Sequence, residues 1–345
     1  MRTMGFTRVA VIGVALALLP GLAKAQQAVR IGLGAPTLSF LPIWSARALD
    51  TFKPQGLTAK VVSLPGGDPS ALAALDAGDI DLAAVGPDAM LRAAAKGQPF
   101  EIVYSLMSKV TLQLVVSHAL LERTGVKPSD PLAKRLAAMK GALVGATALA
   151  GAQEIAARWL AAKGGLDPKN DIKVAQVGNP TAIQAALEAK RIDAFVLSPP
   201  EGYLTEKAGT GAVLVSLGDD FPLLASQPYL VLVAKKPISP ATADLITRTA
   251  KALQQGSDAA IHKPDETANA IQKQFFAKAD PQAIAVALKA MSSGVAEGGK
   301  IDVQGMQNAL TFAKEVGTNF GKEFDAKTSE DDLWTNRFID AAKAK

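Results

Sequence analysis

The chain has 345 residues, enough for two domains of ordinary size. Half of it is hydrophobic (49%) and only 20% is charged, which excludes disorder as its main state. It has no cysteine, so disulfides, thiolate nucleophiles, zinc ribbons, iron–sulfur clusters and a lipidated-cysteine anchor are excluded together. Two histidines, His118 and His262, are too few for a multi-histidine metal site, and no cofactor is expected. The net charge of +5 overstates the basic character, because Arg2, Arg8 and Lys24 fall in an acid-free leader. Without these three, 34 of the 37 bases face 32 acids, a net +2, too little to drive nucleic-acid binding.

That leader comes first in chain order. Arg2 and Arg8 precede an eleven-residue apolar run, Val9 to Leu19, which Pro20-Gly21 breaks. Ala23-Lys24-Ala25 supplies small residues at the two positions a signal peptidase reads, so residues 1–25 are expected to be a signal peptide cleaved after Ala25. The run falls short of the ~20 residues of a membrane span, and no Arg-Arg pair is present. The mature chain is therefore expected to be exported by the general secretory route.

The remainder repeats itself once. Gly34-Ala35-Pro36-Thr37-Leu38 recurs as Gly145-Ala146-Thr147-Ala148-Leu149, and Gly67-Asp68-Pro69 as Gly178-Asn179-Pro180, both at an offset of 111. Leu75-Asp76-Ala77 with Ile80-Asp81 recurs as Leu187-Glu188-Ala189 with Ile192-Asp193, offset by 112, and Pro87 matches Pro199. Each copy reads as strand, helix, strand, helix, strand. Strands are predicted at Val29–Leu33, Thr58–Leu64 and Asp81–Val85, then at Ala142–Ala146, Asp171–Val177 and Asp193–Leu197. Helices are predicted near Phe40–Thr51, Pro69–Ala77, Gly151–Lys163 and Pro180–Ala189, with Asp68 and Asn179 as N-caps before a proline. Short apolar strands alternating with amphipathic helices predict an α/β protein of two parallel-sheet lobes.

A further strand is expected at Phe100–Leu106. Val110–Ser117 and Gln227–Ala234 are β-rich and flank the second copy, so they are read as two crossover segments. The second lobe, 114–225, is then inserted into a first lobe made of 26–113 and 226–345. Beyond Pro237 helices are predicted at Pro240–Ile261, Pro264–Ala277, Pro281–Ser292, Val303–Val316 and Ser329–Ala342, lying on the first lobe.

In parallel α/β sheets ligands gather at the carboxyl ends of the strands. The loops there are Ala35–Phe40, Pro65–Asp68 and Gly86–Asp88 in one lobe, and Thr147–Gly151, Gly178–Pro180 and Ser198–Glu201 in the other. Glycine, proline and small hydroxyl residues let backbone amides approach a ligand, and helix N-termini aimed at one cleft favour negative charge. Leu38, Ser39 and Phe40 are candidate contacts, with the core as the alternative for Phe40. Gly67, Asp68 and Asn179 are candidates whose alternative is helix capping. Asp88 and Glu201 each follow a strand and a proline (Pro87; Ser198 and Pro199), which places them to bind an amine, a hydroxyl or a ring N–H, or else to serve a helix terminus. Lys109 is the base best placed to pair with an anion, with a solvated loop lysine as the alternative, and Tyr229 reaches the hinge side of the pocket. These loops contain no arginine, hence no bidentate clamp for a carboxylate, sulfonate or phosphate.

Gly34–Pro42 followed by Ile43–Ala48, the run Leu75-Asp76-Ala77-Gly78-Asp79-Ile80-Asp81, and Leu187–Asp193 with Phe195 resemble the periplasmic solute-binding proteins of ABC importers. The resemblance covers about Val29 to Ala260 and points to the nitrate/sulfonate/taurine-type subfamily, which includes binders of thiamine-pyrimidine precursors. It implies the two-lobed type II periplasmic-binding-protein fold and an extracytoplasmic receptor without enzymatic activity, working as a monomer that hands solute to the permease subunits of the inner membrane. It also implies that Thr147, Leu149, Ala150 and Gly151 set backbone amides against an anionic group, with ordinary capping as the alternative. An organosulfonate or other small organic anion is the expected solute. The alternatives are a neutral or amine-bearing heteroaromatic such as a thiamine-pyrimidine precursor, a sensory receptor, or an enzyme on the same fold. Other motifs carry nothing: Gly32-x-Gly34-x-x-Thr37 lacks the third glycine of a dinucleotide loop, and Ile301 stands where the P-loop-like Gly294…Gly299-Lys300 needs a hydroxyl.

Overall fold

Apolar strands followed by proline-started helices build two five-stranded sheets in a computed structural model that describes residues 26–34, 36–64, 66–149, 151–318 and 330–343. The expected signal segment, residues 1–25, lies outside the described residues, as does Ala150. In chain order the first elements are β1 (Gln27–Leu33), α1 (Leu41–Ala48), β2 (Leu57–Ser63), α2 (Asp68–Ala77), β3 (Leu82–Val85), α3 (Pro87–Ala95) and β4 (Phe100–Met107). Next come β5 (Gln113–Ser117), α4 (His118–Thr124), α5 (Leu132–Ala137), β6 (Leu143–Ala146), α6 (Ala152–Lys163), β7 (Lys173–Gln176) and α7 (Pro180–Glu188). They lead to β8 (Ala194–Leu197), α8 (Glu201–Lys207), β9 (Gly211–Ser216), α9 (Leu217–Asp220), α10 (Pro222–Ala225) and β10 (Leu230–Lys235). The chain ends in α11 (Pro240–His262), α12 (Pro264–Phe275), α13 (Pro281–Ser292), α14 (Val303–Glu315) and α15 (Arg337–Lys343).

One sheet has the order β2-β1-β3-β10-β4 and the other β7-β6-β8-β5-β9. Both are mixed where parallel sheets were expected, because β10 runs antiparallel to β3 and β4, and β5 antiparallel to β8 and β9. These two strands are the ones that enter a sheet from the other lobe. The chain leaves β4 and returns into β10 at the same end of the sheet, so the incoming strand must run the opposite way. The strand parts of the two predicted crossovers thus belong to the sheets, and only 108–112 and 217–229 pass between them. The two passages lie side by side, with Tyr229 N donating to Met107 O (2.7 Å), Gln227 N to Ser108 O (2.9 Å) and Val110 N to Leu224 O (3.0 Å).

The repeated Ile-Asp motif has a matching structural role in both copies. Asp81 accepts the Arg30 amide on Oδ2 (2.7 Å) and donates its own to Arg30 O (2.9 Å). Asp193 treats Leu143 in the same way, at 2.8 Å for both bonds. The preceding isoleucine covers a strand glycine: a Cβ on Gly32 would lie 2.4 Å from Ile80 Cδ1, and one on Gly145 2.6 Å from Ile192 Cδ1. Gly145 therefore corresponds to Gly32, two residues earlier than the Gly34 with which its surrounding sequence pairs it. Packing, not the similarity of the following loop, sets the register of the repeat.

Helices α11, α12 and α13 cover the first sheet as expected, with Leu245, Leu253, Ile271, Ile284 and Leu288 in one core with β1 residues Ile31 and Leu33. Helix α14 departs from that expectation. Met306, Leu310 and Ala313 join the core of the first lobe, while Phe312 and Val316 pack against the second. Trp159 Nε1 donates to Glu315 Oε2 (2.7 Å), Lys163 pairs with the same carboxylate (2.9 Å), and Trp159 meets Phe312 edge-on at 5.4 Å. The last predicted helix, Ser329–Ala342, is shorter than expected and begins at Arg337. Leu333–Thr335 instead hydrogen-bond both sides of Ile102, whose strand β4 is a sheet edge with unpaired backbone groups to satisfy.

Candidate functional site

In the first lobe the loops after β1 and β2 touch backbone to backbone. A Cβ on Gly34 would stand 2.7 Å from both Cα and C of Gly67, so a glycine is required there. This contact holds Asp68 at the head of α2. The sequence predicted Asp68 as the N-cap, but Gly67 occupies that position, and the Asp68 carboxylate turns away to accept the Gly86 amide (2.8 Å). Asp88 comes to the same corner: a Cβ on Gly86 would lie 2.9 Å from Asp88 Oδ1 and 3.3 Å from Asp68 Oδ2. Burial pushes the Asp68 carboxyl up to about 6, and the neighbouring Asp88 adds to the rise, against the opposing pull of the Gly86 N–H and Arg92. Arg92 is the arginine that the loops lack. It lies one turn inside α3 and is committed to Asp88 Oδ2 at 2.6 Å.

Tyr229, on the returning passage, links this corner to the second lobe. Its hydroxyl is 3.3 Å from Ser198 Oγ at the end of β8, and Ser198 Oγ is 2.9 Å from Thr111 Oγ1 on the outgoing passage. Burial lifts the Tyr229 phenol to about 12, with Asp68 and Asp88 adding their negative charge. Both passages and the end of β8 therefore meet at one phenol, which the charges of Asp68 and Asp88 also reach. Thr111 and Arg92 were not singled out by the sequence. The four-residue spacing of Arg92 from Asp88 was the available signal for one; nothing local marks Thr111.

In the second lobe Glu201 opens α8 directly after Pro199 and Pro200. Burial raises its carboxyl to about 7, opposed only by its own backbone N–H. Its carbonyl accepts Gln184 Nε2 (2.7 Å) and Thr205 Oγ1 (2.9 Å), which fixes the corner. Thr147 Oγ1 donates to Gln153 Oε1 (3.0 Å) across the start of α6, where Gly151 is the N-cap. Leu149, between them, is 54% exposed. Asn179 caps α7 as predicted, accepting the Ala182 amide (2.9 Å). Asn179→Ala is accordingly expected to cost about 1 kcal/mol in urea unfolding while solute affinity stays constant in a parallel titration.

Other candidates stand apart from this convergence. Leu38 and Phe40 are core residues of the first lobe, and Ser39 between them is buried. Their turn is held by Trp44 Nε1 donating to Thr37 O (2.7 Å). Pro87 and Pro199 are buried at the starts of their turns. Lys109, read as a base for an anion or else a solvated loop lysine, is paired with Asp219 beside a shallow recess formed by the two passages and the end of α13. Among the described residues no group of three or more His, Cys, Asp or Glu side chains is placed to hold a metal ion. No helix among them is long and apolar enough to cross a membrane.

Residues 23–273 match the family model described as NMT1-like family. No curated protein sequence matches the chain significantly. A solved structure of a protein from Bordetella bronchiseptica RB50 is similar with a TM-score of 0.76 and 23% identity, covering 93% of this chain and 98% of that one. The periplasmic nitrate-binding protein NrtA from Synechocystis PCC 6803 is similar with a TM-score of 0.67 and 14% identity, covering 92% and 88%. The periplasmic aliphatic sulphonate binding protein SsuA from Escherichia coli is similar with a TM-score of 0.64 and 17% identity, covering 84% and 86%. At these identities the likenesses establish the fold, which is that of periplasmic binding proteins.

Proposed function

Because the chain belongs to the NMT1-like family, we propose that it is the extracytoplasmic solute receptor of an ABC importer. On this reading residues 1–25 are removed after Ala25, and a small organic solute enters the cleft between lobes 26–113 with 226–345 and 114–225. The lobes then close by bending at the paired passages 108–112 and 217–229, and the closed form docks on the permease. The observation that carries it is Tyr229, whose hydroxyl meets Ser198 of the second lobe and which feels the charges of Asp68 and Asp88 in the first. Lys207 of α8 and Asp280 at the head of α13 pair at 2.5 Å across the same divide, a contact that opening would break.

Of the two solute classes that the sequence left open, the side chains favour a neutral or amine-bearing heteroaromatic over an organic anion. The corner presents Asp68 and Asp88, and the cation nearest them, Arg92, is already paired. A melting screen of sulfonates, carboxylates, pyrimidines and amines tests the receptor role. A cognate solute at a hundred times its dissociation constant adds about 2.7 kcal/mol of stability. Small-angle scattering then reads closure as a smaller radius of gyration. A chain that neither melts higher nor contracts with any solute class is not a receptor of this kind.

A further inference from the structure

We propose that α14 is a brace that sets the balance between parted and closed lobes, acting through Trp159 of the second lobe and Glu315 of the first as positioning residues for solute binding; this rests on the receptor reading above. Trp159 is only 4% exposed in the core of the second lobe, yet its indole N–H finds its acceptor outside that lobe, on Glu315 Oε2 at 2.7 Å. Lys163, one turn further along α6, reaches both oxygens of the same carboxylate, at 3.0 Å and 2.9 Å. The Trp159 ring meets Phe312 of α14 edge-on at 5.4 Å and Phe221 of the returning passage at 4.6 Å.

Helix α14 carries one apolar stripe for each lobe. Met306, Leu310 and Ala313 enter the first-lobe core at helical spacing, and Phe312 and Val316, one turn apart, lie on the second. The helix also grips the returning passage: Asn308 Nδ2 donates to Ser226 O (2.7 Å), and a Cβ on Gly305 would stand 3.3 Å from Pro228 Cδ. It is therefore a third link between the lobes besides the two passages. Swinging α6 away from α14 would uncover Phe312 and Val316 and leave Glu315 and the Trp159 N–H to water, so these contacts favour the arrangement in which the lobes meet. The Lys207–Asp280 pair, between α8 and α13, is made in that same arrangement. A solute's apparent affinity scales with the population of the binding-competent form, so losing the brace lowers affinity without touching the cleft.

The test needs no solute. The chain has no cysteine, so Ser63→Cys with Gln176→Cys introduces one spin label per lobe, at the exposed last residues of the matching edge strands β2 and β7. Pulsed electron-spin measurements then read the distance between the lobes in the ligand-free protein. In that background Trp159→Phe keeps a ring but loses the donor, and Glu315→Ala removes the acceptor at a position where alanine suits the helix. Each is expected to shift the distances to longer values, with the closed population falling about tenfold relative to the open one. Asp302→Ala is the control: it removes the N-cap of α14, which accepts the Gly305 amide (2.6 Å), and leaves the Trp159–Glu315 pair in place. It should unfold at lower urea with the distances unchanged. Should Trp159→Phe fail to fold, Glu315→Ala decides alone. Distances that stay the same or shorten in Glu315→Ala overturn the brace, as does an equal lengthening in Asp302→Ala, and the receptor role is judged separately by the solute screen.

Discussion

At pH 8.5 the ligand-free Glu201→Gln variant is expected to melt about 5 °C above the wild-type chain, whereas at pH 5 the two melt almost together. Glu201 titrates near 7 in the folded chain, well above the ordinary 4.5, because burial disfavours its charged form. A carboxyl whose folded-state value is raised binds more protons folded than unfolded between those two values, so stability falls as pH rises through that window. Below about 4.5 both states are protonated and the group contributes no penalty. About a unit above 7 the penalty is complete, at roughly 3 kcal/mol for a shift of this size. Glutamine keeps the shape and never ionises, so the variant escapes the penalty, and a chain of this length converts it into a shift of a few degrees. Melting curves of both proteins across pH 4.5–9 check this. A wild-type chain as stable at pH 8.5 as the variant would show that Glu201 is solvated. The rise at Asp68, to about 6, has the same sign and deepens the decline of the wild type between pH 4 and 6.

Gly34→Ala is expected to lose both stability and solute affinity, about 1–3 kcal/mol in unfolding and about tenfold in binding. The added methyl would lie 2.7 Å from Cα and C of Gly67 and 2.9 Å from the Asp68 nitrogen. All three are backbone atoms, so the strain cannot be relieved by a rotamer change and the loop before α2 must move. Asp68 moves with it, away from the Gly86 amide, and one charge-assisted hydrogen bond of about 1.5 kcal/mol corresponds to about tenfold in affinity. Gly32→Ala is the control. Its methyl would meet the far end of Ile80, 2.4 Å away, in the core between β1 and β3, so it should lower stability while leaving affinity intact. Urea unfolding and calorimetry on the two variants separate the effects. Equal affinities for Gly34→Ala and the wild type would place the binding corner elsewhere.

The core strands and the Pro-initiated helices could be read from local pattern because they depend on few neighbours. β3 and β8 are four-residue apolar runs buried throughout, and α13 spans Pro281–Ser292 as its start and stop signals imply. Boundaries shifted where an edge had to be satisfied, as at Glu330–Asn336, which pairs with β4 before α15 begins. In the candidate site, residue type and rough position were readable for Asp68, Asp88, Glu201 and Tyr229. Partner choice was not: Asp68 finds Gly86 eighteen residues on, and Lys109 finds Asp219 across the paired passages.

By itself the sequence determined the order and chemistry of the elements: apolar runs of strand length, proline-started helices, and a doubled Ile-Asp motif whose geometry is local to one strand pair. Only the tertiary structure decided strand direction, the register of the repeat, the seating of α14 on both lobes and the burial that raises the Glu201 carboxyl. Periodicity and capping act over a few residues and leave their mark in the adjoining sequence. Direction, register and charge pairing are set by groups tens to hundreds of residues apart, whose free energies depend on burial and distance and are defined only once the chain has packed.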